Sequence, residues 1–175
     1  MGHNGKVTDA DEINPSLQVA GERAMLDGWL EIHRATLLHK CEGLDPEELA
    51  ARSVPPSTLS LLGLVRHMSE VERHWFARML EGEHIHPRYV SREDPDGDFN
   101  GASADNAEEA FANFAADCDR SRAIAADSDL DRVAGRELVG GEVTLRWILV
   151  HMIEEYARHN GHADFLRECI DGATG

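Results

Sequence analysis

Hydrophobic residues recur at intervals of three and four along most of the chain, which is the spacing of one face of an α-helix. Four segments carry this pattern, and we predict helices at about 18–41, 57–82, 106–127 and 144–171. The side chains expected on their apolar faces are Met25, Trp29, Leu30, Leu37 and Leu38; Leu64, Met68, Val71, Trp75 and Met79; Phe111, Phe114, Ala115, Cys118 and Ile124; and Leu145, Ile148, Leu149, Met152, Tyr156, Ala163 and Leu166. Four amphipathic helices predict an all-α four-helix bundle.

The longest predicted connection runs from 83 to 104 and is rich in His, Pro, Asp and Gly. A connection of this length is the natural crossover of a bundle that does not run simply up and down. In the glycine-containing segment 130–143 we predict a small strand or hairpin at 136–139. Residues 1–17 are polar, so we expect a flexible tail before one domain at 18–175.

The chain is acidic, with 33 Asp and Glu against 17 Lys and Arg and a formal net charge of −16. Nucleic acids and anionic membrane surfaces attract basic patches, so neither is an expected partner. No apolar segment is long enough to predict a membrane span. Cys41, Cys118 and Cys169 are widely spaced and form no CxxC motif. This cysteine pattern fits a reducing cytoplasm.

Histidines carry the chemical information, since ten occur and several share one helical face. His151, Glu155 and His159 are four residues apart, so they stack along the fourth helix. Two such residues can chelate one ion, as the paired histidines of HExxH do. A facing helix can supply a third ligand in a bundle interior. His67, on the inward stripe of the second helix, is the best candidate for that ligand.

Imidazole nitrogen and carboxylate oxygen suit zinc, and also nickel, iron or manganese. Three protein ligands leave a position open for water or substrate, as catalytic zinc sites do. Each residue also has a simpler interpretation. His67 alone would more often be a hydrogen-bonded core histidine, and Glu155 with His159 could be a helix ion pair. Only their coincidence favours a metal site.

Two stretches carry a family resemblance. SLLGLVRHMSEVERHWF at 60–76 resembles the second helix of the DinB-like superfamily, and TLRWILVHMIEEYARHNGHAD at 144–164 resembles its fourth helix. The resemblance covers about 20–170. It is closest to the actinobacterial branch that includes mycothiol-dependent transferases and a maleylpyruvate isomerase.

The resemblance implies a four-helix bundle with one metal ion held by three side chains. Many members use three histidines, whereas the mycothiol-linked branch uses His, Glu and His. Here the matching positions are His67, Glu155 and His159, and the glutamate places the chain in the thiol-using branch. His151 lies one turn earlier and is not carried over as a ligand.

The function that the resemblance implies is a metal-dependent thiol S-transferase acting in detoxification. Zinc, with nickel as the alternative, would activate a low-molecular-weight thiol, mycothiol, for attack on an electrophile. Candidates for catalysis are His151, Glu70 and Arg158, and Arg146 and Arg158 are candidates for binding carboxylates of the co-substrate or substrate. The alternatives are a metal-dependent hydrolase, with Glu70 or His151 as base, and a non-catalytic metal-binding stress protein. We also expect a homodimer.

Overall fold

Four long helices dominate the computed structural model, which describes residues 15–138 and 141–174. They are α1, Glu22–His39; α2, Leu61–Glu72, continued by a π-helix at Arg73–Leu80; α3, Ala107–Ala126; and α4, Leu145–Asp171. Short helices occupy Pro46–Ala50 and Gly97–Asn100, and 3-10 turns occupy Pro15–Val19 and Ala104–Asn106. The prediction of an all-α helical bundle is confirmed.

The four helices pack in two main pairs. α1 lies against α4 and α2 against α3, and α2 also contacts α4 across the core. The start of α2 is capped by Ser60, whose hydroxyl accepts the N–H of Gly63 at 3.0 Å. Thr144 caps α4 in the same way, accepting the N–H of Trp147 at 3.4 Å. Both hydroxyl residues satisfy an N–H group that the helix cannot satisfy itself.

The apolar stripe of α4 is buried as predicted, but that of α1 differs. Met25 and Leu38 are 37% and 39% exposed, and Ala115 on α3 is also exposed, so their assignment to the core was wrong. The buried face of α1 includes one charged residue, Arg34. Its guanidinium forms two hydrogen bonds with the carboxylate of Glu72, at 2.8 and 2.7 Å. The buried apolar residues of α1 are Leu26, Leu30 and Leu37.

The π-helical end of α2 was not predicted. The N–H of Glu81 bonds to the carbonyl of Phe76, five residues back, at 3.1 Å, and the N–H of Glu83 bonds to the carbonyl of Ala77 at 3.0 Å. Such wider turns insert an extra residue and are frequent at functional sites. The π-helix therefore marks the part of α2 where a binding site is most expected.

Two side chains of α2, Arg66 and Glu70, hold the long connection between α2 and α3 in place. Arg66 donates to the carbonyls of Asp98 and Gly97 at 2.8 and 3.0 Å. Glu70 accepts the N–H of Tyr89 at 2.6 Å. Because both contacts fix backbone groups, the position of the connection relative to α2 is well defined.

Two predictions fall partly outside the described residues. Of the expected hairpin at 136–139, the structure describes isolated bridges pairing Leu138 with Gly141 and Val133 with Thr144, and no strand among the described residues. Residues 139–140 lie outside them, as does most of the expected tail at 1–17.

Within the described part of the chain, no helix has the length and apolar character needed to cross a membrane.

Candidate metal centre

His67, Glu155 and His159 come together between α2 and α4, each offering one ligand atom within 4.8 Å of the other two. His159 Nε2 lies 3.5 Å from Glu155 Oε2, and the rings of His67 and His159 are 4.6 Å apart between centroids. Two ligand atoms on one tetrahedral zinc ion lie about 3.4 Å apart. The pair on α4 already has this spacing, and the donor set fits a divalent ion of the zinc type.

The helices explain why these three side chains meet. Glu155 and His159 lie one turn apart on α4, and His67 faces them from α2. Burial, followed by the neighbouring His67 and His162, lowers the pKa of His159 to about 4. His159 is therefore a neutral imidazole at neutral pH, which is the form that binds a metal ion.

Asp98 is the site residue that sequence reasoning missed. Its carboxylate is 4% exposed, and Oδ2 lies 2.7 Å from Nδ1 of His67. The other oxygen accepts the N–H of Phe99 at 3.0 Å, and the Phe99 ring stacks on His67. A carboxylate on one nitrogen of a histidine orients the other nitrogen toward a metal. The sequence signal is weak, since Asp98 is one of several acidic residues in the long connection.

His151 and Arg158 both lie beside Glu155. His151 Nε2 is 3.5 Å from Glu155 Oε1, and its ring packs between Trp75 and Trp147, with centroids 4.5 and 5.0 Å away. Arg158 Nη1 is 3.4 Å from the same oxygen, on the solvent side of α4. A second possible ligand group consists of His151, Glu154 and Glu155. It shares Glu155 with the first group and is therefore described with it.

Glu70 and Arg146 are engaged elsewhere. Glu70 is near His67, but one of its oxygens accepts the backbone N–H groups of Arg88 and Tyr89. Arg146 binds the carboxylates of Glu22 and Asp131, with a 2.7 Å contact to Glu22. It precedes Glu155 by nine residues, about 13 Å along the helix axis. The structure therefore does not bring Arg146 to the cluster.

A pocket of about 290 Å³ opens beside His67 and Asp98. Its walls are the second half of α2, including the π-helix, and the long connection. Glu155 and His159 are not among its lining residues, so the pocket reaches the cluster from the side of His67. This arrangement gives a small molecule access to one edge of the candidate metal position.

Comparison with known families gives an independent result. The family model described as mycothiol-S-transferase matches residues 25–172, which include the three candidate ligands and Asp98. No curated protein gives a significant match. Because the family model spans most of the chain, the protein belongs to the mycothiol-S-transferase family.

Proposed function

We propose that the protein joins mycothiol to an electrophile, using a divalent ion held by His67, Glu155 and His159. The observation that carries the proposal is the meeting of these three side chains in a chain of the mycothiol-S-transferase family. Zinc is the metal that we assign, with nickel as the alternative. When bound, the ion would stabilise the thiolate of the co-substrate at neutral pH.

The residues around the cluster have separate tasks in this scheme. Asp98 fixes the ring of His67 through Nδ1 and leaves Nε2 free as a ligand. Glu155 contributes one negative charge to the ligand set. Compared with three histidines, this charge lowers the electron-withdrawing power of the site, so a bound thiolate stays more nucleophilic. Arg158 pairs with Glu155 and restricts its side chain.

The reaction needs a group that takes the thiol proton. We assign this task to His151, whose Nε2 lies 3.5 Å from Glu155 and whose Nδ1 lies 3.8 Å from Glu154. A sulfur–carbon bond forms as the thiolate attacks. The bond to the leaving group breaks with its electron pair, and the proton passes from His151 to water. The products are a thioether, the released anion and a proton.

The protein's own cysteines are poorly suited to supply the nucleophile. Burial raises the pKa of Cys41 and of Cys118 to about 12. Cys169 is exposed but lies ten residues after His159, about 15 Å along α4. This supports an external thiol as the co-substrate.

The alternatives have less support. A hydrolase with Glu70 as base would have one carboxylate oxygen for a water molecule, because the other oxygen already accepts two backbone N–H groups of the long connection. A non-catalytic metal-binding protein would be expected to close its site, whereas a pocket opens beside His67. A cytoplasmic location remains a prediction from the sequence. So does a homodimer, for which exposed apolar residues of α4 such as Val150 and Phe165 offer contacts.

The test uses zinc-loaded protein, mycothiol and chlorodinitrobenzene as a model electrophile. We expect a thioether and an equal amount of chloride. In Glu155→Gln the rate should fall about a hundredfold or more because a charged ligand is lost. The control is His39→Ala, which removes an imidazole at the C-terminal end of α1. Thioether formation at the same rate by Glu155→Gln, or none by zinc-loaded wild type, would contradict the proposal.

A further inference from the structure

One cation in the pocket beside His67 has no carboxylate partner. Four residues of one face of α2 line the pocket: His67, Val71, His74 and Arg78. They are separated by four, three and four positions in the sequence. Arg78 forms no hydrogen bond or ion pair with any residue that the structure describes. The other half-buried arginines that the structure describes each form at least one hydrogen bond or ion pair.

The other charged residues of the pocket are already engaged. Asp98 bonds to His67 at 2.7 Å, and Glu70 accepts backbone N–H groups. Arg73 donates to the carbonyl of His86 at 2.9 Å, and its guanidinium lies 3.9 and 3.8 Å from the carboxylates of Glu70 and Asp117. Arg78 is therefore the charge in this pocket that remains for a ligand.

The distance from Arg78 to the metal position can be bounded along the helix. Arg78 follows His74 by four residues on α2, so the two side chains lie on the same face of the helix. Arg78 follows His67 by eleven residues, or roughly 16 Å of helix at 1.5 Å per residue, and its side chain shortens this separation because helical side chains lean toward the N-terminus. The pocket wall between them includes the apolar side chains of Val71, Trp75 and Ile85.

We propose that this pocket binds the electrophilic substrate, and that the substrate carries a carboxylate which pairs with Arg78, at the opposite end of the pocket from its reacting atom. An arginine can hold a carboxylate through two parallel hydrogen bonds, which fixes orientation as well as position. The apolar wall fits an alkyl or aryl body between the two ends. The volume of about 290 Å³ restricts the ligand to a small molecule. Its role as the substrate rests on the proposed thiol transfer.

The test is calorimetric titration of the full-length, zinc-loaded protein, without thiol, using phenylbutyrate and its neutral analogue phenylbutyramide. Wild type should bind the acid roughly tenfold or more tightly than the amide. Arg78→Gln should bind the two equally. Arg52→Gln is the control, because it removes the same charge from an exposed arginine outside the pocket and should retain the wild-type preference.

Unchanged acid binding in Arg78→Gln would overturn the proposal, and so would an equal loss in both variants, which would indicate a general effect of charge. The titration involves no reaction, so it is independent of thiol transfer. Acid binding that depends on Arg78, together with no thioether formation by wild type, would support the carboxylate pocket and contradict the transfer reaction. Thioether formation without such binding would overturn only the pocket.

Discussion

At the scale of single residues, the hydrogen bond between His67 and Asp98 decides which ring nitrogen can meet a metal ion. With Nδ1 held by a buried carboxylate at 2.7 Å, Nε2 is the available ligand atom. The carboxylate also limits rotation of the imidazole ring. Asp98 would thereby act on the proposed metal site through His67.

Asp98→Asn should weaken zinc binding about 10- to 100-fold, because the amide keeps the shape but loses the charge. The measurement is competition with a chromophoric chelator. Asp96→Asn serves as the control, since Asp96 is exposed in the same connection. Equal zinc affinity of Asp98→Asn and wild type would show that Asp98 does not support the ligand.

The three cysteines should differ in reactivity. Near pH 8, Cys41 and Cys118, each with a pKa of about 12, are almost entirely protonated and buried, whereas Cys169 is exposed. We expect Ellman's reagent to modify one thiol in the native protein and three after denaturation, and Cys169→Ser to abolish the native reaction. Rapid modification of a second thiol in the folded protein would be inconsistent with this burial.

The residues of the site differ in how far the sequence could predict them. Glu155 and His159 were recognisable because spacing within one helix fixes their separation. His67 was recognisable from its place on an apolar stripe. Asp98 and Arg78 were not, because the role of each depends on where the long connection folds and on which partners it supplies.

At the scale of helices, a buried polar network joins α1, α2 and α4. Glu72 on α2 accepts hydrogen bonds from Arg34 on α1 and from the hydroxyl of Tyr156 on α4, the latter at 2.7 Å. Tyr156 directly follows the candidate ligand Glu155, so this network helps to set the rotation of α4 relative to α2.

Glu72→Gln should lower the free energy of unfolding by about 3–5 kcal/mol, because the buried charge of Arg34 loses its counter-ion. Urea denaturation of the variant and wild type gives the difference. Glu47→Gln, on an exposed surface, should change stability by less than about 0.5 kcal/mol. A similarly small effect of Glu72→Gln would show that the network does not hold the helices together.

Two glycines should respond in opposite ways to alanine. A Cβ on Gly97 would collide with the carbonyl oxygen of Tyr89, so Gly97→Ala should displace the neighbouring Asp98 and weaken zinc binding. A Cβ on Gly161 meets nothing within 4 Å, so Gly161→Ala should stabilise α4 by about 0.5–1 kcal/mol. Chelator competition measures the zinc affinity of Gly97→Ala, and urea denaturation measures the stability of Gly161→Ala. Unchanged zinc affinity in Gly97→Ala would contradict the positioning of Asp98 by this turn.

The helices themselves were largely predictable, because apolar periodicity and the hydroxyl caps Ser60 and Thr144 agree on their positions. The face of α1 was misassigned because Arg34 occupies a core position that a pattern of apolar residues cannot include. The π-helix was missed because its pattern differs from that of an α-helix by only one inserted residue.

At the scale of the whole molecule, the candidate metal centre lies where α2 and α4 face each other, beside the long connection. The three candidate ligands come from positions 67, 155 and 159, so a bound ion would connect segments that are distant in the sequence. The ion would also place positive charge in a chain of net charge −16, beside the single glutamate of the ligand set. The proposed thiol transfer depends on this ion being held there.

The most direct test is the metal content of the purified protein and of His67→Ala, Glu155→Ala and the control His39→Ala, measured after equilibration with zinc and removal of the excess. Wild type and His39→Ala should each hold about one ion per chain, while the other two variants should hold close to none. Equal zinc content in all four proteins would contradict the ligand assignment and the proposed reaction that depends on it.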